Sequence, residues 1–175
     1  MGARILAGAL LATAALAAPA AAQQGTPIGI AALRPEPGTT AFPVRAPVTY
    51  GQGEAHYGAD RGGRMHEGQD LFAPAGTPLV AVRDVRVLEA GDGGGRGNYV
   101  ALFSPAAHET YVYMHMLEPA PVKPGQELRA GDRVGKLGCT GSCWGDHLHF
   151  EVRDGRGPQA PALDPNPLLH WLSGA

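Results

Sequence analysis

The chain has 175 residues, a formal net charge of −2 at pH 7 and only two cysteines. A mildly acidic chain lacks the basic surface that nucleic acid requires, so we expect no nucleic-acid partner. Glycine (26) and proline (16) are abundant, but they lie between short β-branched and aromatic runs, which is typical of turns in an all-β domain.

The first 22 residues have the layout of a secretory signal peptide. One basic residue, Arg4, precedes an apolar run over 5–18, and Ala20-Ala21-Ala22 ends the segment with the small residues that signal peptidase accepts. The alternative is a membrane anchor, but the run is short for a bilayer span of roughly 20 residues, and Pro19 interrupts the segment. We therefore predict cleavage after Ala22, export, and a mature chain without a transmembrane segment.

Residues 23–40 contain several prolines and glycines and show no sustained periodicity. This composition predicts a linker or mobile N-terminal arm, with a short pro-segment as the alternative. The predicted domain then covers residues 41–175.

Within the domain, short strand-like segments alternate with turns. The segment 78–88 is rich in valine and changes phase near Arg83-Asp84, which predicts a bulge or tight turn. Further strands are predicted over 98–103, 108–115, 126–129, 134–137 and 147–152, followed by a short helical segment over 167–171. These features predict an all-β fold, a compact antiparallel β-sheet domain with long loops.

The last predicted strand, over 147–152, contains the clearest group of candidate functional residues. Side chains of a strand alternate between its two faces, so His147 and His149 point the same way, with Glu151 further along. Leu148 and its apolar neighbours two and four residues on would face a core. The same alternation places Tyr111, Tyr113 and His115 on one face of their strand, and we expect one tyrosine to line a site and the other to pack in the core.

These histidines, together with Asp70, predict a metal-binding site. A catalytic zinc has three protein ligands and an open position, and His66, Asp70 and one histidine of the 147/149 pair would supply such a set. The remaining imidazoles would then be available for general-base or transition-state work. Each motif alone is frequent by chance, but their combination in one β-rich domain is difficult to explain by packing.

Over residues 42–169 the sequence resembles the LytM/lysostaphin-type zinc metallopeptidases, the M23 family. The stretches that carry the resemblance are RMHEGQDLFAPAGTPLVAV, GNYVALF, TYVYMHM, VKPGQELRAGDRVGKLG and DHLHFEVRDGRGPQAPALDPNPLL. The resemblance implies the duplicated hybrid motif of that family and one Zn²⁺ per chain held by His66, Asp70 and His149. It implies His115 and His147 as the catalytic pair.

The activity implied by the resemblance is hydrolysis of peptide crosslinks or stem-peptide bonds of bacterial peptidoglycan. We expect a monomer in the periplasm, with the extracellular cell wall as the alternative location. One rival is a catalytically silent relative that binds peptidoglycan or activates a cell-wall amidase, but such relatives typically lose site residues. Another is a structural zinc domain, which two imidazoles beyond a three-ligand set disfavour.

Cys139 and Cys143 are the only cysteines of the chain. In an oxidising compartment an even pair favours a disulfide, which would stiffen the short loop that leads to His147. The alternatives are zinc binding by the two cysteines with a nearby histidine, and two reduced thiols.

The remaining histidines, His56, His108 and His170, match no motif, and we expect them to be exposed or incidental. Asp146 stands where the M23 family often has proline, and we interpret it as a loop-shaping residue. Arg64 precedes the first ligand motif and receives no role.

Overall fold

The computed structural model describes residues 1–2 and 40–174, so the predicted signal peptide and N-terminal arm lie outside the described residues except at their ends. The strands are β1 (Thr49–Tyr50), β2 (Gln69–Phe72), β3 (Pro78–Val80), β4 (Val85–Asp92), β5 (Asn98–Ser104), β6 (Glu109–Met116), β7 (Glu127–Leu128), β8 (Arg133–Lys136), β9 (His147–Asp154) and β10 (Ala162–Leu163); the helix is α1 (Asn166–Ser173). None of the helices in the described residues has the length and apolar character needed to cross a membrane.

Eight strands form one antiparallel sheet in the order β1-β2-β9-β6-β5-β4-β7, with β10 also paired to β9. Strands β3 and β8 form a second, two-stranded antiparallel sheet. The all-β fold class is therefore confirmed. The predicted phase change near residue 83 is also confirmed, because β3 and β4 belong to different sheets and are separated there.

The main core contains the inward-facing side chains of the large sheet together with residues of the small sheet and of α1. Leu148, Phe150 and Val152 of β9 are buried in it, as the alternation predicted. Leu79 of β3 and Leu169 of α1 belong to the same cluster. Since successive residues of β9 point to opposite faces, the core contacts of these three side chains direct the intervening histidines and Glu151 to the other face.

The prediction for β6 was wrong in two respects, since His115 does not share a face with Tyr111 and Tyr113 and neither tyrosine lines the site. Tyr111 and Tyr113 are both fully buried in the main core, and neither lines the site. The reason that His115 does not follow them is a β-bulge. Asn98 pairs with Met116 and Val100 pairs with Tyr113, so two residues of β6 lie opposite one residue of β5.

His115 has a φ of 60°, in the left-handed region that non-glycine residues seldom adopt. Without the extra residue and this backbone conformation, its ring would continue along the tyrosine face into the core. The bulge instead brings the ring to the same side of the sheet as the β9 histidines. A strained backbone of this kind persists where the surrounding contacts hold it.

Candidate metal centre

Three adjacent strands in the sheet carry the site. Asp70 on β2 lies directly opposite His149 on β9, and Met114 on β6 lies opposite His149 on its other side. His66 precedes β2 in the chain and contributes from the loop. The register therefore joins motifs that are about 80 residues apart in the sequence, as the separation of 79 between Asp70 and His149 records.

One donor atom from each of His66, Asp70 and His149 lies within 4.8 Å of the other two, and all three residues are buried. His149 Nδ1 is 2.9 Å from Asp70 Oδ1, and His66 Nε2 is 3.2 Å from the same oxygen. The two ring nitrogens are 2.8 Å apart. The structure thus brings together the three residues that the sequence proposed as ligands.

The protonation of the two rings shows why a cation fits between these donors. His66 Nδ1 is 2.9 Å from the carbonyl oxygen of His56, and His149 Nε2 is 3.0 Å from Glu151 Oε1. A carbonyl oxygen or a carboxylate only accepts hydrogen bonds, so these two nitrogens carry the protons and donate. His66 Nε2 and His149 Nδ1 then present lone pairs to each other and to Asp70. Three converging acceptors repel one another unless a positive charge lies among them, and this donor set fits Zn²⁺.

The electrostatics of the cluster agree with this requirement. Burial opposes ionisation of Asp70, yet the neighbouring rings of His149 and His66 hold the pKa of the carboxyl well below its usual range. Burial alone would lower the pKa of His149, but the neighbouring carboxylates of Asp70 and Glu151 outweigh burial and raise that pKa. The site therefore keeps a carboxylate ionised and favours positive charge beside it.

The other two site histidines, His115 and His147, lie next to the donor set. Their ring centroids are 4.8 Å apart, and His147 Nε2 is 3.6 Å from Asp70 Oδ1. His115 Nδ1 donates to the carbonyl oxygen of Thr140 at 2.8 Å, and His147 Nδ1 donates to that of Gly145 at 2.7 Å. Each ring therefore keeps its Nε2 available for chemistry.

Both of these rings are neutral near pH 7. Burial lowers the pKa of His115 to about 4, against the smaller opposing effect of the hydrogen bond to Thr140. Burial likewise lowers the pKa of His147, despite the hydrogen bond to Gly145. A neutral imidazole with a free Nε2 is able to accept a proton, which is the requirement for a general base.

An ion-pair chain runs from the buried Glu151, which contacts the ring of His149, through Arg153 to the exposed Glu67. Glu151 Oε2 accepts a hydrogen bond from Arg153 Nε at 2.8 Å, and Arg153 Nη2 also reaches Glu67 Oε2 at 2.9 Å. Sequence reasoning placed Glu151 on the histidine face but did not foresee this chain. The hydrogen bond between a metal-ligating histidine and a carboxylate fixes the tautomer and the orientation of the ring.

Arg61 was missed by the sequence reasoning. Its Nη2 lies 2.8 Å from Asp70 Oδ2, so the carboxylate oxygen that faces away from the donor set is paired with a guanidinium. No spacing rule would have identified it, because Arg61 lies in an irregular loop. The guanidinium fixes the carboxylate with its other oxygen directed at His66 and His149.

A cavity of about 270 Å³ opens at the site, and Arg64 lies on its wall together with His66, His115 and His149. Four arginines and two glutamates are among the residues that line it: Arg61, Arg64, Arg96, Arg153, Glu67 and Glu151. A larger hollow of about 680 Å³ lies elsewhere, beside β4 and β7, and none of the site histidines lines it. The chemistry therefore belongs to the smaller cavity.

The other histidines and the cysteines lie outside the donor set. The side chains of His56, His108 and His170 are exposed, as expected, although the backbone carbonyl of His56 holds His66. Cys139 and Cys143 are joined in a disulfide, with their Cα atoms 5.3 Å apart. Bonded sulfurs are not thiolate ligands, so the alternative of a cysteine zinc site does not apply.

An antiparallel sheet that brings together a His/Asp/His donor set and two further imidazoles, beside a cavity that His66, His115 and His149 line, defines a zinc metallopeptidase. Residues 64–161 match peptidase family M23, and the chain belongs to this family. Lysostaphin from Staphylococcus simulans is 35% identical over 120 residues, which cover 68% of this chain and 24% of lysostaphin. A peptidoglycan DD-endopeptidase of Vibrio cholerae, ShyC, is 38% identical over 90 residues, which cover 50% of this chain and 20% of that protein.

Solved structures of peptidases have the same fold as this chain. The catalytic domain of lysostaphin from Staphylococcus simulans superposes with a TM-score of 0.62 and 34% identity, covering 70% of this chain and 92% of that one. A zinc-containing peptidase from Vibrio cholerae has a TM-score of 0.52 and 25% identity, covering 66% of this chain and 36% of that one. The chain spans 20–33% of the length of curated relatives such as lysostaphin, ALE-1 and ShyC, so it corresponds to one part of them.

Proposed function

We propose that the chain is a zinc-dependent endopeptidase that hydrolyses peptide crosslinks or stem-peptide bonds of bacterial peptidoglycan. The observation that carries the proposal is the convergence of His66, Asp70 and His149 beside two further neutral imidazoles. The substrate class rests on relatives that are named as a glycyl-glycine endopeptidase and as peptidoglycan DD-endopeptidases.

In this proposal His66 Nε2, Asp70 Oδ1 and His149 Nδ1 hold the zinc ion. When bound, zinc lowers the pKa of water towards neutrality and polarises the carbonyl of the scissile peptide bond. Three protein ligands leave a coordination position open, as catalytic zinc sites require and structural sites do not. The ion-paired Arg61 keeps the carboxylate from turning away from the site.

His115 and His147 form the proposed catalytic pair. Each donates through Nδ1 to a backbone carbonyl and therefore has Nε2 free to accept the proton of the attacking water. The same nitrogen, once protonated, donates to the oxyanion of the tetrahedral intermediate or to the leaving amine. The lowered pKa of both rings favours release of that proton after it has been taken up.

We further propose that residues 1–22 direct export to the periplasm and are removed, that residues 23–40 form a linker or arm, and that the enzyme acts as a monomer. The support for export and cleavage is the charged, apolar and small-residue order of the leader together with the wall substrate. N-terminal sequencing of protein recovered from the periplasm tests the cleavage site. Light scattering of the purified protein tests the monomer.

The decisive experiment is mass-spectrometric analysis of crosslinked muropeptides after incubation with the purified protein, with zinc and with a chelator. We expect zinc-dependent conversion of dimers to monomers. Parallel digestion of diaminopimelate-crosslinked and glycine-bridged substrates identifies the bond that is cut.

Two variants separate metal binding from catalysis. We expect Asp70→Ala to lose both zinc and cleavage, and His115→Ala to keep one zinc per chain while losing cleavage, because His115 lies outside the donor set. Absence of cleavage by a zinc-loaded wild-type protein would contradict the proposal. It would instead favour the silent relative that binds peptidoglycan or activates an amidase.

A further inference from the structure

The loop closed by the Cys139–Cys143 disulfide supplies hydrogen-bond acceptors to both histidines of the proposed catalytic pair. The carbonyl oxygen of Thr140, inside the disulfide ring, accepts from His115 Nδ1. The carbonyl oxygen of Gly145, just after the ring, accepts from His147 Nδ1. One short segment thus sets the tautomer and the orientation of two rings that come from different strands.

The Thr140 half of this loop is anchored without any help from sulfur. Thr140 Oγ1 donates to the carbonyl oxygen of Met116 at 2.8 Å and accepts from the backbone nitrogen of Asn98 at 2.9 Å. The backbone nitrogen of the neighbouring Ser142 donates to the carbonyl oxygen of Gly95 at 3.0 Å. These bonds tie the first half of the loop to the ends of β5 and β6, so the acceptor of His115 is fixed by the sheet.

The Gly145 half depends on the two sulfurs. Its backbone nitrogen donates to Cys139 Sγ at 3.3 Å, and its carbonyl oxygen lies 2.9 Å from Cys143 Sγ. Within residues 40–174, Cys139 Sγ is the sole acceptor of the Gly145 N–H. Cys143 Sγ also lies 3.7 Å from His147 Nδ1. The backbone nitrogen of His147 also donates to the carbonyl oxygen of Gly138 at 3.2 Å, so the strand end is held by the backbone. The disulfide adds the side-chain link between the Gly145 peptide itself and the anchored half of the loop.

We propose that Cys139 and Cys143 are positioning residues for His147. Their bond places the Gly145 carbonyl so that the imidazole keeps its proton on Nδ1 and its Nε2 directed towards Asp70. The proposal rests on the proposed function only in assigning His147 to catalysis. Since His115 has its own anchored acceptor, loss of the disulfide should release the ring of His147 and leave that of His115 in place.

The test compares the wild type with the double variants Cys139→Ser/Cys143→Ser and Cys139→Ala/Cys143→Ala, all loaded with zinc. We expect kcat on a crosslinked wall peptide to fall roughly tenfold or more, with KM changed by less than about twofold, because orientation of a reacting group is lost while substrate binding is kept. Serine at position 139 keeps an acceptor for the Gly145 N–H and alanine does not, but both variants lack the S–S bond, so a loss of kcat in both assigns the effect to that bond.

Histidine side-chain ¹⁵N–¹H correlation spectra provide the readout that is independent of turnover. In both variants we expect the tautomer pattern of His147 to change from a single Nδ1–H form to a mixture, while that of His115 remains as in the wild type. Zinc stoichiometry should stay at one per chain.

An unchanged kcat with an unchanged His147 tautomer overturns the proposal. Equal perturbation of His115 and His147, loss of zinc, or failure of both variants to fold also overturns it, because the disulfide would then stabilise the whole site rather than one ring. A wild-type protein that cleaves nothing defeats the proposed function alone, since the spectra still decide whether the disulfide positions His147.

Discussion

Glu151 Oε1 accepts a hydrogen bond from His149 Nε2 at 3.0 Å, and this contact directs the other ring nitrogen to the metal centre. The carboxylate lies two residues from the histidine on the same face of β9, so the strand itself sets their spacing. A histidine that binds metal through Nδ1 needs an acceptor at Nε2, and Glu151 provides it.

We therefore expect Glu151→Ala to raise the zinc dissociation constant roughly 10–100-fold, as removal of such outer partners typically does. Glu151→Gln keeps an oxygen acceptor and should cause a smaller loss. Competition with a chromophoric chelator measures both. Arg153 is 5% exposed and would lose its buried partner in the alanine variant, keeping only the exposed Glu67, so circular dichroism must show that the variant is folded. Unchanged affinity in both folded variants would contradict this role.

Gly68 allows the close approach of His149. A Cβ at this position would lie 2.6 Å from His149 Nε2 and 2.8 Å from the carbonyl oxygen of Phe150. We expect Gly68→Ala to displace the ring and weaken zinc binding at least about tenfold, measured by the same chelator competition.

The matched control for this substitution is Gly93→Ala. Gly93 has an extended φ of 164°, and a Cβ there would meet nothing within 4 Å. The Gly93→Ala variant should therefore bind zinc with the affinity of the wild type. Equal affinity of the two alanine variants would show that the packing around Gly68 does not hold the ligand.

His115 makes stability depend on pH. The folded-state pKa is lowered to about 4 from 6.5, mainly by burial. Below pH 6.5 the unfolded chain takes up a proton that the folded ring does not, so the free energy of unfolding decreases as the pH falls towards 4. The pKa difference corresponds to a loss of up to about 3 kcal/mol.

Urea unfolding of chelator-treated protein at neutral pH and near pH 4 measures this loss, and His115→Gln is the comparison. Glutamine does not titrate but offers an amide donor for the carbonyl oxygen of Thr140. We expect the variant to lose less stability than the wild type over this range. The same pH dependence in both proteins would show that His115 is not the group responsible.

Tyr113 is a core residue whose hydroxyl donates to the carbonyl oxygen of Val80 at 2.9 Å. We expect Tyr113→Phe to lower the free energy of unfolding by about 1–2 kcal/mol, because a buried carbonyl is left without its donor. Tyr99→Phe is the control, since Tyr99 is only partly buried. Thermal and urea unfolding should show a clear difference between the two variants, and equal stabilities would contradict the assignment.

The sequence by itself predicted most of the strands and the three residues of the candidate donor set. Side chains of a strand alternate between its two faces with a period of two residues, and this depends only on neighbouring residues in the chain. The burial of Leu148, Phe150 and Val152 could therefore be predicted from the sequence of β9 alone. The order of the His66–Asp70 and His147–His149 motifs identified the family. A motif is recognised from its residue types and their spacing, and this recognition does not require knowledge of the backbone geometry.

Only the tertiary structure decided how those residues are used. The bulge that turns His115 away from the tyrosine face depends on the register between β5 and β6. The pairing of Asp70 with Arg61 depends on an irregular loop, and the tautomer of His147 depends on the carbonyl of Gly145. Hydrogen-bond partners and left-handed backbone are set by packing between segments distant in the chain, and no local period in the sequence records them.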